Sequence, residues 1–311
     1  MSCQSWSFES TVRPDEPNPV NGVRMLQRRD LTNLEVMSSP TLQHLDRFQV
    51  EADMLAPLAR ATGAFSVTDS IAMFEVPCSA GVPDIVFVDI DESVVRDRGD
   101  KPALTELIDI RIMMIMSRED RFNSRRWWSS AELSEALSVT KSHLRQTVLP
   151  RMVTGGHLER RDGEKEKWRA SYRFRSLARY VATVEAKLRD WRRGLAQASR
   201  HASVADAAWL ALDAKFTKSA IENPMWFSTY GVGLAAVSST GHVDSLISPS
   251  GAIIRGAERE LLVERALALH WSGHVSGEVR QVFGRHLLAS KGDDPRLAGA
   301  SGRSSPLAAG Q

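Results

Sequence analysis

Four short stretches of the chain, mostly apolar, are typical of β-strands. The first two, "SIAMFEVP" and "VPDIVFVDID", are joined by the turn-like "CSAG". A third strand is expected over "VATVEAKL" and a fourth over "AAWLALDA". Because successive side chains of a strand point to opposite faces, Glu185 and Lys187 are expected to share one face, opposite Ala186.

Helical spacing marks the elements around these strands. "LDRFQVEADMLAPLARATG" predicts a helix that ends at Gly63. The helix after the third strand should place Trp191, Leu195 and Ala198 on one face. "GVGLAAVSSTGHVDSLISP" predicts a hairpin that turns at Thr240-Gly241. "ERELLVERALALHW" predicts a last amphipathic helix that covers an exposed face.

The strand pattern lapses after Asp91 and a different order of elements follows. "ALTELIDIRIMMIMSRE" predicts a helix, "SSAELSEAL" a short helix capped by Ser130, and "VTKSHLRQTVLPRMVTGG" a helix capped by Thr140. "HLERRDGEKEKWRASYRFR" predicts two short strands around a charged turn. This order is typical of a winged helix-turn-helix, so we predict an inserted module at residues 103–176 behind an exposed linker at 92–102.

Composition is that of an ordinary globular protein. The 311 residues are 42% hydrophobic and 25% charged, and two cysteines exclude a disulfide framework or a Cys-rich zinc site. No apolar run reaches the roughly 20 residues of a membrane span, and the N-terminus lacks the pattern of a secretory signal. We therefore expect a cytoplasmic protein without a membrane partner, with disordered segments at 1–40 and 286–311.

The net charge of +2 conceals a basic region. Residues 118–175 contain 14 Lys or Arg and 8 Asp or Glu, a net of +6, so the rest of the chain sums to −4. A locally basic module is a candidate nucleic-acid surface, and an ordinary solvated face is the alternative.

One helix of the module has the pattern of a DNA-recognition helix. In "VTKSHLRQTVLPRM", Leu144, Val148 and Met152 recur every four residues and should face the module's own core. The opposite side would enter the major groove. There Arg145 and Gln146 are suited to base edges, and Lys141 and Ser142 to phosphates.

Cations also border the predicted wing and should contact the DNA backbone. They are Arg160, Arg161, Lys165 and Lys167. The alternative interpretation makes the module an oligomerisation surface, in which case the protein would be a homodimer.

Without the module, the predicted order is helix, strand, strand, strand, helix, strand. Pro83-Asp84 and Glu185-Ala186-Lys187 on consecutive strands of this reduced chain resemble the motif of the PD-(D/E)xK (restriction-endonuclease-like) nuclease superfamily. The resemblance implies an α/β fold with that superfamily's αβββαβ core, in two parts at 41–102 and 177–285, interrupted by the winged helix-turn-helix. Asp84 and Glu185 are 101 positions apart, and the inserted module explains this spacing.

The helix after the motif adds one further similarity. Gln197 stands where the RecB-like branch of the superfamily has a Gln, and His201 stands where that branch has a Tyr. The similarity is therefore imperfect along this helix.

The resemblance implies a metal-dependent DNA phosphodiesterase that uses Mg²⁺ or Mn²⁺. Hard cations take oxygen ligands and lower the pKa of a bound water. The implied ligands are the carboxylates of Asp84 and Glu185, with the Ala186 carbonyl and Glu51 as additional candidates. Lys187 would position the attacking water. The implied catalytic set is Asp84, Glu185, Lys187 and Gln197.

Other interpretations stay open. Asp84 would also suit a turn, and Glu185 with Lys187 a surface ion pair contributing at most about 1 kcal/mol. The runner-up function is a non-catalytic DNA-binding regulator on a degenerate nuclease scaffold, and a protein-binding adaptor is third. "GVGLAA" at Gly231 matches a dinucleotide-binding pattern formally but opens a strand, so no nucleotide cofactor is expected.

Overall fold

The computed structural model describes residues 48–67, 70–118, 122–123, 125–161, 163, 166–250, 256–277, 279–282 and 285–288. The segment predicted to be disordered at 1–40 lies outside these residues. So does the predicted tail, apart from residues 286–288, which belong to a strand. Lys165, one of the predicted wing cations, also lies outside them.

Strands are distributed along most of the described chain. In chain order they are β1 (Ser70–Phe74), β2 (Ile85–Ile90), β3 (Trp128–Ser129), β4 (Leu158–Arg161), β5 (Lys167–Ala170), β6 (Ala178–Lys187), β7 (Ala207–Asp213), β8 (Val232–Val237), β9 (Val243–Ile247), β10 (Val279–Val282) and β11 (Arg285–Leu288).

Helices alternate with these strands. They are α1 (Leu55–Arg60), α2 (Glu92–Arg98), α3 (Leu107–Met116), α4 (Ser130–Leu137), α5 (Lys141–His143), α6 (Leu149–Thr154), α7 (Trp191–His201), α8 (Lys218–Ile221), α9 (Pro224–Tyr230) and α10 (Ala257–Trp271). A π-helical turn at Leu144–Val148 joins α5 to α6, and 3₁₀ turns at Glu51–Met54 and Thr62–Phe65 flank α1.

A six-stranded mixed sheet lies at the centre of the protein, in the order β1-β2-β6-β7-β8-β9. β1, β2 and β6 are antiparallel neighbours, β7 and β8 run parallel to β6, and β9 returns antiparallel. The helix α7 makes the crossover between β6 and β7, as parallel neighbours require. The predicted α/β class is confirmed, and so is the hairpin of β8 and β9.

Apolar side chains cover both faces of the sheet. On one face Phe65 contacts the rings of Phe87 and Trp209, at centroid distances of 5.3 and 5.4 Å. On the other face α7 packs over β6 and β7 through Trp191, Leu195 and Ala198, which are all buried as predicted. Val184 and Ala186 of β6 pack in the first of these layers, so Glu185 and Lys187 point towards α7.

The last helix, α10, is buried between the sheet and the module. Leu262 and Val263 pack in the apolar cluster of β1 and β2, whereas Ala257 and Leu261 pack in the cluster of the module. The predicted helix is present and covers the sheet, but it is buried on most sides rather than amphipathic. Its buried charged residues are compensated by ion pairs, such as Arg259 with Asp206, or by hydrogen bonds, such as that of Arg265 to the Pro77 carbonyl.

The central module combines helices α3 to α6 with a three-stranded antiparallel sheet in the order β3-β5-β4. Leu144, Val148 and Met152 are buried in its apolar core, as the four-residue spacing predicts. Thr140 caps α5 as predicted, by accepting a hydrogen bond from the His143 N–H. All the described residues fall in one compact unit.

Three local expectations are wrong. Residues 92–98 form α2 rather than a linker, because the Asp91 side chain caps the helix by accepting from Ser93 and Val94 N–H groups. The cap of α4 is Ser129, which forms a reciprocal capping box with Glu132, and not Ser130. The helix predicted to end at Gly63 is reduced to the six residues of α1 between two 3₁₀ turns.

No helix in the described ranges combines the length and the apolarity that crossing a membrane requires.

The glycines of "GVGLAA" have structural explanations in this fold. Gly231 ends α9 in the left-handed conformation, with φ of 67°. Gly233 lies beside Trp209 on the neighbouring strand, where a Cβ would come within 2.4 Å of the Trp209 ring.

We therefore expect Gly233→Ala to lower the free energy of unfolding by about 1–3 kcal/mol, because the methyl group would overpack a buried ring. Urea denaturation followed by circular dichroism measures this difference. Gly63→Ala is the matched control, since a Cβ there meets nothing within 4 Å. Equal stability of the two variants would contradict the close packing of β8 on Trp209.

Candidate active site

The two halves of the predicted motif meet where β2 begins and β6 ends. The antiparallel register pairs Ile85 with Val184, so Asp84, just before β2, lies beside Glu185. The Asp84 carboxylate accepts a hydrogen bond from the Ala186 N–H at 2.7 Å. Residues 101 positions apart in the sequence are thus neighbours, and the strand pairing alone brings them together.

The ammonium group of Lys187 is the centre of this cluster. It lies 2.8 Å from a carboxylate oxygen of Glu185 and 3.2 Å from one of Glu51. It also donates to the Ala186 carbonyl at 2.9 Å. Glu51 therefore lies beside the candidate site, in the 3₁₀ turn before α1 rather than on the predicted helix. Three oxygens from separate groups converge on one positive charge.

A close packing contact holds the Lys187 stem in place. Gly194 of α7 lies so near β6 and β7 that a Cβ on it would come within 2.9 Å of Lys187 Cγ and 2.5 Å of Leu210 Cδ1. Glycine at this position lets α7 approach the strands that carry the site.

The electrostatics of the cluster are dominated by burial. Burial, reinforced by the neighbouring Asp84 carboxylate, raises the pKa of Glu185 to about 7. Burial also raises the pKa of Asp84, although the Ala186 N–H and the charge of Lys187 oppose it. Burial alone would lower the pKa of Lys187, but its hydrogen bond to Glu185 and the nearby carboxylates outweigh that effect and raise it. Three carboxylates therefore share one ammonium.

The chemistry of this donor set fits a hard divalent cation. Buried carboxylates with raised pKa values are groups whose ionised form a nearby positive charge would stabilise. The residues that could hold the ion are Asp84, Glu185 and Glu51, with the Ala186 carbonyl as a neutral oxygen donor. The chemistry of these donors suits the ion, but they do not form a ready-made set of ligands, because in the described part of the chain no group of three or more His, Cys, Asp or Glu side chains is arranged for metal ligation.

The helix α7 adds two polar side chains near the cluster. His201 is buried, and its Nδ1 lies 3.9 Å from a Glu185 oxygen, too far for a hydrogen bond. Burial lowers the pKa of His201 to about 4, with the charges of Arg200 and Lys187 adding to the effect, so the imidazole is neutral at pH 7. Gln197 lies one turn earlier, and its buried Oε1 has no hydrogen-bond partner within the described residues.

Two of these contacts could not be predicted from the sequence pattern alone. The Ala186 N–H to Asp84 hydrogen bond depends on the β2–β6 register, and the His201 contact depends on how α7 packs. The strand pattern could have predicted the first only if the pairing of β2 with β6 had been known.

The predicted DNA contacts lie apart from this cluster along the chain and occupy the surface of the module. Most of their side chains are exposed, and some are already ion-paired. Glu166 bridges Arg145 and Arg160, at 3.0 and 2.7 Å. The exposed side chains are Lys141, Ser142, Arg145, Gln146, Arg160, Arg161 and Lys167.

Comparison of the chain with protein-family models, curated proteins and solved structures finds no match. The interpretation of the site therefore depends on its own geometry and chemistry.

The raised pKa of Glu185 predicts how stability depends on pH. The carboxyl ionises near its ordinary value of 4.5 when unfolded and near 7 when folded, so its contribution to stability is complete below pH 4.5 and is lost as the pH rises through 7. In metal-free buffer, the free energy of unfolding of wild type should fall by about 3 kcal/mol relative to Glu185→Gln between about pH 4 and about pH 8.

Chemical denaturation at a series of pH values measures this difference. Glu258→Gln, at a partly exposed carboxylate of α10, is the control and should follow wild type. Parallel curves for wild type and Glu185→Gln would show that the fold does not perturb this carboxyl.

Proposed function

We propose that the protein is a metal-dependent phosphodiesterase of the PD-(D/E)xK type that cleaves DNA, with Mg²⁺ or Mn²⁺ as its cofactor. The observation that carries the proposal is the convergence of Asp84, Glu185 and Lys187, at adjacent ends of two paired strands, on one partly buried cluster. Burying carboxylates is unfavourable unless their charge is compensated. Carboxylates without a function would therefore be expected at the surface and not gathered around one lysine.

The order of elements supports the same proposal. An initial helical segment is followed by three antiparallel strands, β1, β2 and β6, then by α7 and by β7, which is parallel to β6. This order supports the αβββαβ arrangement that the resemblance implies. Asp84 lies just before the second of these strands, and Glu185 and Lys187 lie on the third.

The chain's own residues have separate roles in this proposal. Asp84 is oriented by the Ala186 N–H, and Glu185 is held between Lys187 and the face of α7. The Lys187 ammonium would offset phosphate charge and orient the attacking water. A bound divalent ion supplies a water of lowered pKa and stabilises charge on the phosphate. Gln197 is a candidate for positioning the substrate, since its Oε1 is buried and unpaired within the described residues.

The module supports DNA as the substrate. Its three-stranded sheet and its helices follow the order of a winged helix-turn-helix, in which α5, the π-helical turn and α6 form the second helix. Lys141, Ser142 and Gln146 are on the exposed side of that helix. In the proposed complex this side enters the major groove, while Arg161 and Lys167 of the hairpin contact phosphates.

A second function is favoured by one observation. The Lys187 ammonium lies within ion-pair distance of both Glu185 and Glu51, at 2.8 and 3.2 Å. A non-catalytic DNA-binding regulator, in which Lys187 permanently neutralises the cluster, would have this arrangement.

Cleavage assays separate the two functions. Wild type should cut labelled DNA only with Mg²⁺ or Mn²⁺, and Asp84→Asn and Lys187→Met should each reduce the rate at least about a hundredfold, because each removes a group beside the reacting phosphate. Asp244→Asn, at an exposed aspartate of β9, is the matched control. Intact duplex, single-stranded and branched DNA after incubation with metal would favour the regulator.

Salt dependence tests the DNA interface of the module. Each phosphate contact contributes about 0.9 to the slope of log affinity against log salt. The double variant Arg161→Ala, Lys167→Ala should therefore reduce the magnitude of the slope by about 2 without a change in sequence preference. Arg60→Ala, at an exposed arginine of α1, is the control. An unchanged slope in the double variant would show that the hairpin does not contact the DNA backbone.

A further inference from the structure

The short helix α9 presents large apolar side chains to solvent. Met225, Trp226 and Tyr230 are 73%, 52% and 45% exposed, and Phe227 is the residue of this helix that is buried. The Trp226 and Tyr230 rings are stacked, with centroids 6.2 Å apart and planes at 19°. Several exposed aromatic and apolar groups on one helix indicate an interaction surface, since single exposed hydrophobic residues are ordinary but clusters are not.

This surface is connected to the candidate active site through α7. Phe227 stacks on Trp191, the first residue of α7, at a centroid distance of 5.9 Å. One turn later in α7, Gly194 packs against the stem of Lys187. Trp191 also donates a hydrogen bond to Ser219, in α8, at 3.2 Å. The first turn of α7 therefore contacts Lys187 on one side and α9 on the other.

Exposed cations border the same part of the structure. Arg192 lies over the Trp191 ring at 4.7 Å and Arg189 over the Phe216 ring at 4.5 Å. Arg193 and Lys218 are exposed on the adjacent turns of α7 and α8. These cations are on α7, on α8 and in the segments before them, and α7 and α8 are linked to α9 through Trp191. Cations and exposed aromatic rings in one region are the combination that binds single-stranded nucleic acid, because the cations bind the backbone and the rings stack on the bases.

A second copy of the chain is a less suitable occupant. In a symmetric dimer the patch would contact itself, which would bring the arginines and lysines of one copy towards those of the other. Like charges opposed across an interface are unfavourable, whereas a polyanion is attracted by the same set.

We propose that α9 is a base-stacking platform for single-stranded DNA, on which Trp226 and Tyr230 hold unpaired bases, and that α7 connects this platform to the cluster of Asp84, Glu185 and Lys187. The inference rests on the proposed function and makes its substrate more specific. Duplex DNA would be bound by the module and an unpaired strand by the platform. The substrate class is therefore DNA with a junction between duplex and single strand.

Binding without metal tests the platform independently of cleavage. Fluorescence anisotropy would compare a labelled blunt duplex with the same duplex carrying a ten-nucleotide overhang. Wild type should bind the overhang DNA at least about tenfold more tightly, which corresponds to the stacking of one or two bases. The double variant Trp226→Ala, Tyr230→Ala should lose this preference and keep its affinity for the blunt duplex.

Two further variants keep the test decisive. Trp226→Phe with Tyr230→Phe retains both rings and should retain the overhang preference. Trp271→Ala removes an equally large side chain, 40% exposed, from the end of α10 and should behave as wild type. Thermal unfolding by circular dichroism shows whether each variant is folded.

The proposal is overturned if wild type does not prefer the overhang, or if the alanine double variant keeps the preference. It is also overturned if that variant changes only the oligomeric state in sedimentation experiments, because the patch would then bind a second copy. A catalytically inactive protein would still show the overhang preference. Failure of the platform and failure of the proposed nuclease activity are therefore distinguishable.

Discussion

The buried ion pairs of α10 are the interaction on which the arrangement of sheet and module depends. Arg259 pairs with Asp206 at the start of β7, and Glu264 pairs with Arg98 of α2 and accepts the Leu104 N–H. Removing such charges from water is strongly unfavourable unless each one is paired and hydrogen-bonded. The pairs therefore restrict α10 to one position, and α10 in turn contacts both the sheet and the module.

The ion pair between Arg259 and Asp206 also affects the candidate active site, because Asp206 contacts strand β6. Asp206 accepts a hydrogen bond from the Val181 N–H at 2.8 Å while it pairs with Arg259, so it fixes the register of β6 against β7. A shift by one residue would turn Glu185 and Lys187 to the opposite face of the sheet. The geometry of the cluster at one end of β6 thus depends on a buried charge at the other end.

The features that depend on local backbone geometry could be predicted from the spacing of apolar residues in the sequence. Strand alternation predicted the shared face of Glu185 and Lys187, and the four-residue spacing predicted the buried side of the module's second helix. The burial of α10 could not be predicted, because the partners of its charges are 53 and 166 positions away in the sequence. Read alone, "ERELLVERALALHW" has the charges of a solvated helix. The helix α2 has only seven residues, and the Asp91 cap that begins it directly follows the apolar run of β2.

The distribution of charge explains why the proposed substrate would need more than one binding surface. The negative charge of the ionised Asp84, Glu185 and Glu51 carboxylates exceeds the single positive charge of Lys187. On its own, the cluster would therefore repel a phosphodiester. The cations of the module and those beside α9 are attractive to the same polyanion. Binding at these two surfaces could therefore hold DNA near a negatively charged cluster that would otherwise exclude it. Burial, together with the neighbouring Asp84 carboxylate, raises the pKa of Glu185, and a bound cation would stabilise its ionised form.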